Sequence, residues 1–242
     1  MKQTPDWVVT ASRRKAFSRG LLVATSTPAL VLLTTAIGFG ALARDLGVTF
    51  GETLLMSGLI YALPAQVMLV DQLARGAALA SVAFAVSLTA VRLLPMTVAL
   101  LPFLKDSRGL RPIHILAGHF IAVTVWLEGS RRLPLLPEPL RLPHFFGIAL
   151  GMFTATALGS AIGHALAGTL PVSVSAALLF MTPVYFLLSL LSGASRRMDY
   201  LAVGIGVVLG PVLFLLVPGP DLMLTGLIGG TVAWWAGERR GG

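Results

Sequence analysis

The sequence predicts an all-α polytopic membrane protein with about eight transmembrane helices. Three observations lead there. The chain is 56% hydrophobic and only 12% charged, about half the charge that keeps a globular domain in solution. Its mean hydropathy is +0.87. Apolar runs recur along it, most near the roughly 20 residues a helix needs to cross a bilayer. Together these exclude a disordered chain and leave no room for a separate soluble domain in 242 residues.

The elements follow in order. Residues 1–19 form a basic arm carrying Lys2, Arg13, Arg14, Lys15 and Arg19. The first run, 21–43, is longer than the apolar part of a signal peptide and has no small-residue cleavage site, so it reads as a retained span. Further runs cover 53–70, 77–104, 113–127, 144–168, 174–191, 201–217 and 222–236. The third contains Arg92 and Pro95 and reads as tilted or broken in two. The fourth is short, which keeps a count of seven open. Residues 20–242 form a single transmembrane domain. Within it, 20–127 and 143–237 share a faint pattern: Gly38 precedes Pro64 by nearly the interval at which Gly159 precedes Pro183. Such matched breaks are the mark of an internal repeat in secondary transporters, and the sequence leaves its sense, parallel or inverted, open.

The net charge is +8. Charges that sit between apolar runs point to topology and anionic lipid rather than to nucleic acid. In an eight-span layout the arm, Arg75, Arg131, Arg132, Arg141, Arg196, Arg197, Arg239 and Arg240 share one side. Basic loops stay inside, so both termini are expected in the cytoplasm and the protein in the cell inner membrane. Arg44, Lys105, Arg108 and Arg111 fall on the other side, where the Lys105–Arg111 cluster is out of place.

Chemistry is sparse. With no cysteine there are no disulfides, thiolate metal sites or cysteine nucleophiles. No phosphate-binding loop or zinc-binding His-Glu pair is present, so no cofactor, metal or catalytic residue is expected, nor an ATP-driven step by this chain. His119 and His164 could titrate. His164 follows Ser160 by one helical turn, but without a nucleophile elbow this reads as packing.

The residues that invite a solute are others. Pro28, Pro64, Pro95, Pro183 and Pro211 lie inside runs, and each removes one donor and frees a carbonyl. In lipid such groups must find neighbours or line a cavity. Ser26 and Thr27 precede Pro28, and Gln66 follows Pro64, so freed carbonyls, hydroxyls and an amide could together hold a zwitterion; simple kinks are the alternative. Arg92 sits deep in its run, where a charge costs at least about 2.5–3.5 kcal/mol. No Asp or Glu lies well inside any run, so a substrate carboxylate would supply its counter-ion, with Ser87 and Thr89 as neighbouring hydroxyls. Freed carbonyls are the structural alternative. Gly147, Gly151, Ala155, Gly159 and Gly163 form a stripe along which helix backbones can approach closely.

Phe39-Gly40-Ala41-Leu42-Ala43, Ala62-Leu63-Pro64-Ala65-Gln66, Gly76 and Arg92 resemble the AzlC family of branched-chain amino acid exporters. The resemblance covers most of residues 15–105. It departs from the family pattern at Ala90 and Leu93, which flank Arg92 where the family has Asn and His, and at Thr34-Thr35-Ala36 in the first run. By analogy Gln66 is the family's amide of the second span and Arg92 its arginine of the third. The resemblance implies a secondary transporter exporting branched-chain or related amino acids, working with a small AzlD-type membrane subunit. The alternative is an intramembrane scaffold or accessory subunit that moves nothing itself.

Overall fold

The computed structural model describes residues 12–91, 93–105, 111–169, 171–193, 197–217 and 221–238. Within them the chain is helical, with no strand. Lys2, Arg92, Arg108, Arg196, Arg239 and Arg240 lie outside the described residues.

The first, second and fourth apolar runs are each interrupted, and the third is bent. The first consists of α1 (Arg13–Leu21), a 3-10 turn at Leu22–Thr25, an extended Ser26, and α2 (Thr27–Asp45). Pro28 stands in the opening turn of α2, where a missing N–H costs nothing. The second run is α3 (Phe50–Leu59), opened by a capping box between Thr49 and Glu52, and α4 (Leu63–Ala74), with Pro64 again in the first turn. Extended backbone at Ala62 (φ −152°, ψ 98°) separates them. The third is α5 (Leu79–Val91) and α6 (Leu93–Leu104), bent by 46°. The fourth is α7 (Pro112–His119) and α8 (Val123–Arg132), bent by 120°. The remaining runs are α9 (Glu138–Leu166), α10 (Val172–Gly193), α11 (Arg197–Leu216) and α12 (Asp221–Glu238).

Among the described residues, three helices are long and apolar enough to cross a membrane by themselves: Thr27–Asp45, Glu138–Leu166 and Met198–Leu216. The two bent pairs bring the number to five if each is one span.

The 29 residues of α9 make a rod of about 43 Å, against which depth can be measured. Its Glu138 end is taken as the lower end and its Leu166 end as the upper. The glycine stripe is the face that α1 and α2 cover. A Cβ at Gly147 would strike the Phe17 carbonyl, one at Gly159 would sit 2.5 Å from the Leu33 carbonyl, and one at Gly163 would strike the Ile37 carbonyl. The approach is mutual, because a Cβ at Gly20 would strike the His144 carbonyl and one at Gly40 the Ser160 carbonyl. Partner numbers rise together, so α1–α2 and α9 run parallel, both upward. On the other side of α2, Gly38 meets the backbone of Ser175 and Leu179 in α10.

Parallel helices require an odd number of crossings between them, and contacts show where the crossing is. Val48 and Phe50 touch His164 near the top of α9. From there α3 descends to Tyr61, whose ring lies 6.0 Å from that of Phe153, halfway along α9. The end of α6 is at the bottom: Phe103 packs under Arg141, whose guanidinium lies 6.0 Å from its ring. The α5–α6 pair therefore runs from top to bottom. The tight turn at Gly76 (φ +72°) joins it to α4, so α4 climbs back up, and Met68 meets Thr89 across the α4–α5 hairpin. Next, α7 starts beside Leu104, the carbonyl of which lies 3.2 Å from His114 Nε2. It rises to Phe120, again at Phe153 (5.9 Å), and α8 returns downward, with Gly129 beside Leu100.

By these contacts the second and fourth runs fold back as hairpins, one from each end of α9. A crossing segment followed by a hairpin occurs twice, in opposite senses: α2 with α3–α4, then α5–α6 with α7–α8. This inverted repeat lies within 27–132. At the prolines that suggested a correspondence of 20–127 with 143–237 the local structure differs: Pro64 opens a helix after a break, whereas Pro183 lies inside α10.

The topology also relocates charge. Lys105 follows the lower end of α6 and joins Arg19, Arg132 and Arg141 at the bottom, while Arg75 moves to the top with Arg44. The chain lacks cysteine, so single cysteines test this directly. Ser18→Cys and Lys105→Cys, both exposed, are expected to react with an impermeant maleimide from the same side, and Arg75→Cys from the opposite side. Ser18 and Lys105 reacting from opposite sides would restore the eight-span layout.

Candidate functional site

The two hairpin tips meet at mid-depth. The rings of Tyr61, Phe120 and Phe153 form a triangle with centroids 5.9–6.0 Å apart. His119 Nε2 lies 2.9 Å from the Gly58 carbonyl; a carbonyl only accepts, so this nitrogen carries a proton. Behind the upper tip, the Ser57 hydroxyl donates to the Thr53 carbonyl and is hydrogen-bonded to Ser160 of α9, both at 3.0 Å. A buried polar seam therefore pins α3 to α9.

Two side chains at the upper tip matter most. Gln66 is fully buried, and its amide nitrogen reaches back across the break to donate to the Ile60 carbonyl at 2.5 Å. Its Oε1 is buried with no hydrogen-bond partner among the described residues. Tyr61 is 7% exposed, and its hydroxyl lies by Thr156 without a well-formed hydrogen bond. Leaving such a group unsatisfied costs about 1–3 kcal/mol. Both α4 and α8 start at this depth, and each directs the positive end of its dipole toward the meeting point.

A second feature lies at the bottom. A cavity of about 380 Å³ is lined by Arg19, Leu22, Val23, Thr25, Ser26, Arg132, Leu135, Leu136 and His144. Glu128, 3% exposed, accepts from Arg132 Nε at 2.7 Å and fixes that guanidinium.

The residues expected to bind solute are distributed between these places and elsewhere. Gln66 is at the tip, while Ser26 lines the lower cavity, of which Gln66 is no part. Pro28 is buried beside Ser26, and Thr27 is exposed. Pro64 opens α4 on an exposed face. Thr89 is buried, bonded to the Ala85 carbonyl and Met68 Sδ, and Ser87 is exposed. Arg92 falls outside the described residues. Ser160 and His164 engage separate partners, Ser57 and the Val48 carbonyl. Sequence reasoning missed Tyr61, Phe120, Glu128 and Arg132 as site residues. The buried Glu128–Arg132 pair at i,i+4 spacing was the one readable signal.

These features define an all-helical membrane protein in which two hairpins meet tip to tip inside the fold. The AzlC protein family matches residues 28–170, and the chain belongs to that family. This is a transporter-type family associated with branched-chain amino acid transport. No curated protein and no solved structure matches the chain. The matched region starts at Pro28 and ends just beyond α9, so it contains both hairpins and the glycine-lined helix pair.

Proposed function

We propose that this protein is a secondary transporter that exports small amphipathic amino acids, branched-chain or closely related, across the inner membrane. The observation that carries the reading is the tip-to-tip meeting of two opposed hairpins at Tyr61 and Phe120. Tips that meet there would close an aqueous path from either end, and a small displacement of one hairpin would open one side without the other. The partial positive charge at the starts of α4 and α8 suits a carboxylate, and Gln66 Oε1 suits an ammonium group. The basic residues gathered at the lower end support a cytoplasmic lower face and N-terminal arm. A small AzlD-type subunit completes the transporter, and the helices outside the family match offer it apolar surface.

The test is counterflow of labelled leucine, isoleucine and valine in proteoliposomes, with and without the small subunit. Saturable flux is expected with it, and absence of flux in both arms would favour the scaffold reading. Arg92→Leu is expected to insert normally and to lose flux, because the sequence gives this deep charge no fixed counter-ion. Normal flux by that variant would make Arg92 structural.

A further inference from the structure

The lower cavity has no part in the tip contact, yet its lining is specific. One wall is cationic: Arg19, and Arg132 held in place by Glu128. One wall is aliphatic: Leu22, Val23, Leu135 and Leu136. The floor is the break before α2. There Ser26 caps the helix in position but makes no capping bond, and its Oγ is buried without a partner among the described residues. Cations, an unspent hydroxyl, a helix start and an aliphatic wall are the complements of a carboxylate attached to a branched hydrocarbon chain.

We infer that this cavity is a loading site for the solute, separate from the hairpin tips, which binds the α-carboxylate on Arg132, Arg19 and Ser26 and the aliphatic side chain on Leu22, Val23, Leu135 and Leu136. The inference rests on the transport reading above and adds where the solute is first held. Arg132 makes the direct contact, and its fork suits a carboxylate. Glu128 is a positioning residue. The volume of about 380 Å³ admits a single amino acid with a few waters.

Ser26→Cys in this otherwise cysteine-free chain reports on the site. With the full chain in proteoliposomes, maleimide labelling of that cysteine is followed in the presence of leucine, isovalerate (no amine) or isoamylamine (no carboxylate). Leucine and isovalerate are expected to slow labelling several-fold, and isoamylamine to leave it unchanged. Arg132→Gln should remove the protection. Because that change leaves the buried Glu128 with only Arg131, 3.8 Å away, as its partner, Arg19→Gln and Arg132→Lys are run beside it. Each should raise the half-protecting leucine concentration by about tenfold, since a bidentate, charge-assisted contact is weakened.

Leucine flux without protection of the cysteine would overturn the loading site and leave the transport reading standing. Protection without flux would do the reverse, and neither flux nor protection would remove both. Equal protection by isoamylamine, unchanged protection in all three arginine variants, or protection by phosphatidylethanolamine vesicles but not by leucine would also overturn it, the last by making the cavity a lipid headgroup pocket.

Discussion

Gly159→Leu should yield little folded protein, whereas Leu158→Ala, one residue away, should be close to wild type. The two positions lie about 100° apart around α9, Gly159 against α2 and Leu158 exposed. Even a methyl group at Gly159 would stand 2.5 Å from the Leu33 carbonyl and 2.8 Å from Ala36 Cβ. A leucine there must push α2 away, because Gly163 fixes the same helix at Ile37 above while Gly151 packs on Leu21 and Ala24 below. Overpacking a well-filled interface typically costs about 1–3 kcal/mol, and a rigid backbone wall puts this site at or beyond the top of that range. Leu158 is 58% exposed and faces lipid, which replaces the lost contacts almost fully. Its truncation should fall within roughly 0.5 kcal/mol of neutral. Thermal unfolding and monodisperse yield in detergent decide the matter. A Gly159→Leu variant as stable as Leu158→Ala would mean that α2 and α9 are not held backbone to backbone.

The α9 stripe was readable in advance because small residues at every fourth position have one geometric use in a helix pair. The breaks before Pro28 and Pro64 were readable for a comparable reason: proline suits the first turn of a helix and harms its middle. Pro183 shows where that reasoning stops, since α10 carries a proline without breaking. The hairpins were not readable. Hydropathy registers only that residues 53–70 and 113–127 are apolar, and two half-helices that turn back in the membrane need as much apolar surface as one that crosses it. The lower tip, Phe120-Ile121-Ala122, has no proline or glycine to mark it. The chain's direction came instead from contacts between segments far apart in sequence, such as Tyr61 with Phe153 and Phe103 with Arg141. The lower cavity eluded the sequence for the same reason, because Arg19, Ser26 and Arg132 come from three separate elements.

Gln66→Leu should leave the protein folded and reduce amino acid flux by about ten- to a hundredfold, the equivalent of one hydrogen bond to a charged group at roughly 1.5–3 kcal/mol. Stability should change little because two effects oppose each other. Leucine forfeits the bond from the Gln66 amide to the Ile60 carbonyl, but it also removes Oε1, which is buried with no partner among the described residues. Replacing such a group with an apolar one of similar shape can be nearly neutral. Transport has no such compensation if the orphan oxygen is the acceptor for the solute ammonium at the tip. Gln66→Glu is the sharper companion. It keeps an oxygen in place but adds charge between the starts of α4 and α8, where a carboxylate competes with that of the solute. Its flux should fall further than that of Gln66→Leu, mainly through a raised KM. Flux measured in proteoliposomes, with detergent melting curves as the control for folding, separates the cases. If Gln66→Leu melts normally and transports at the wild-type rate, the hairpin tips form a barrier without a binding site, and solute recognition belongs to the lower cavity alone.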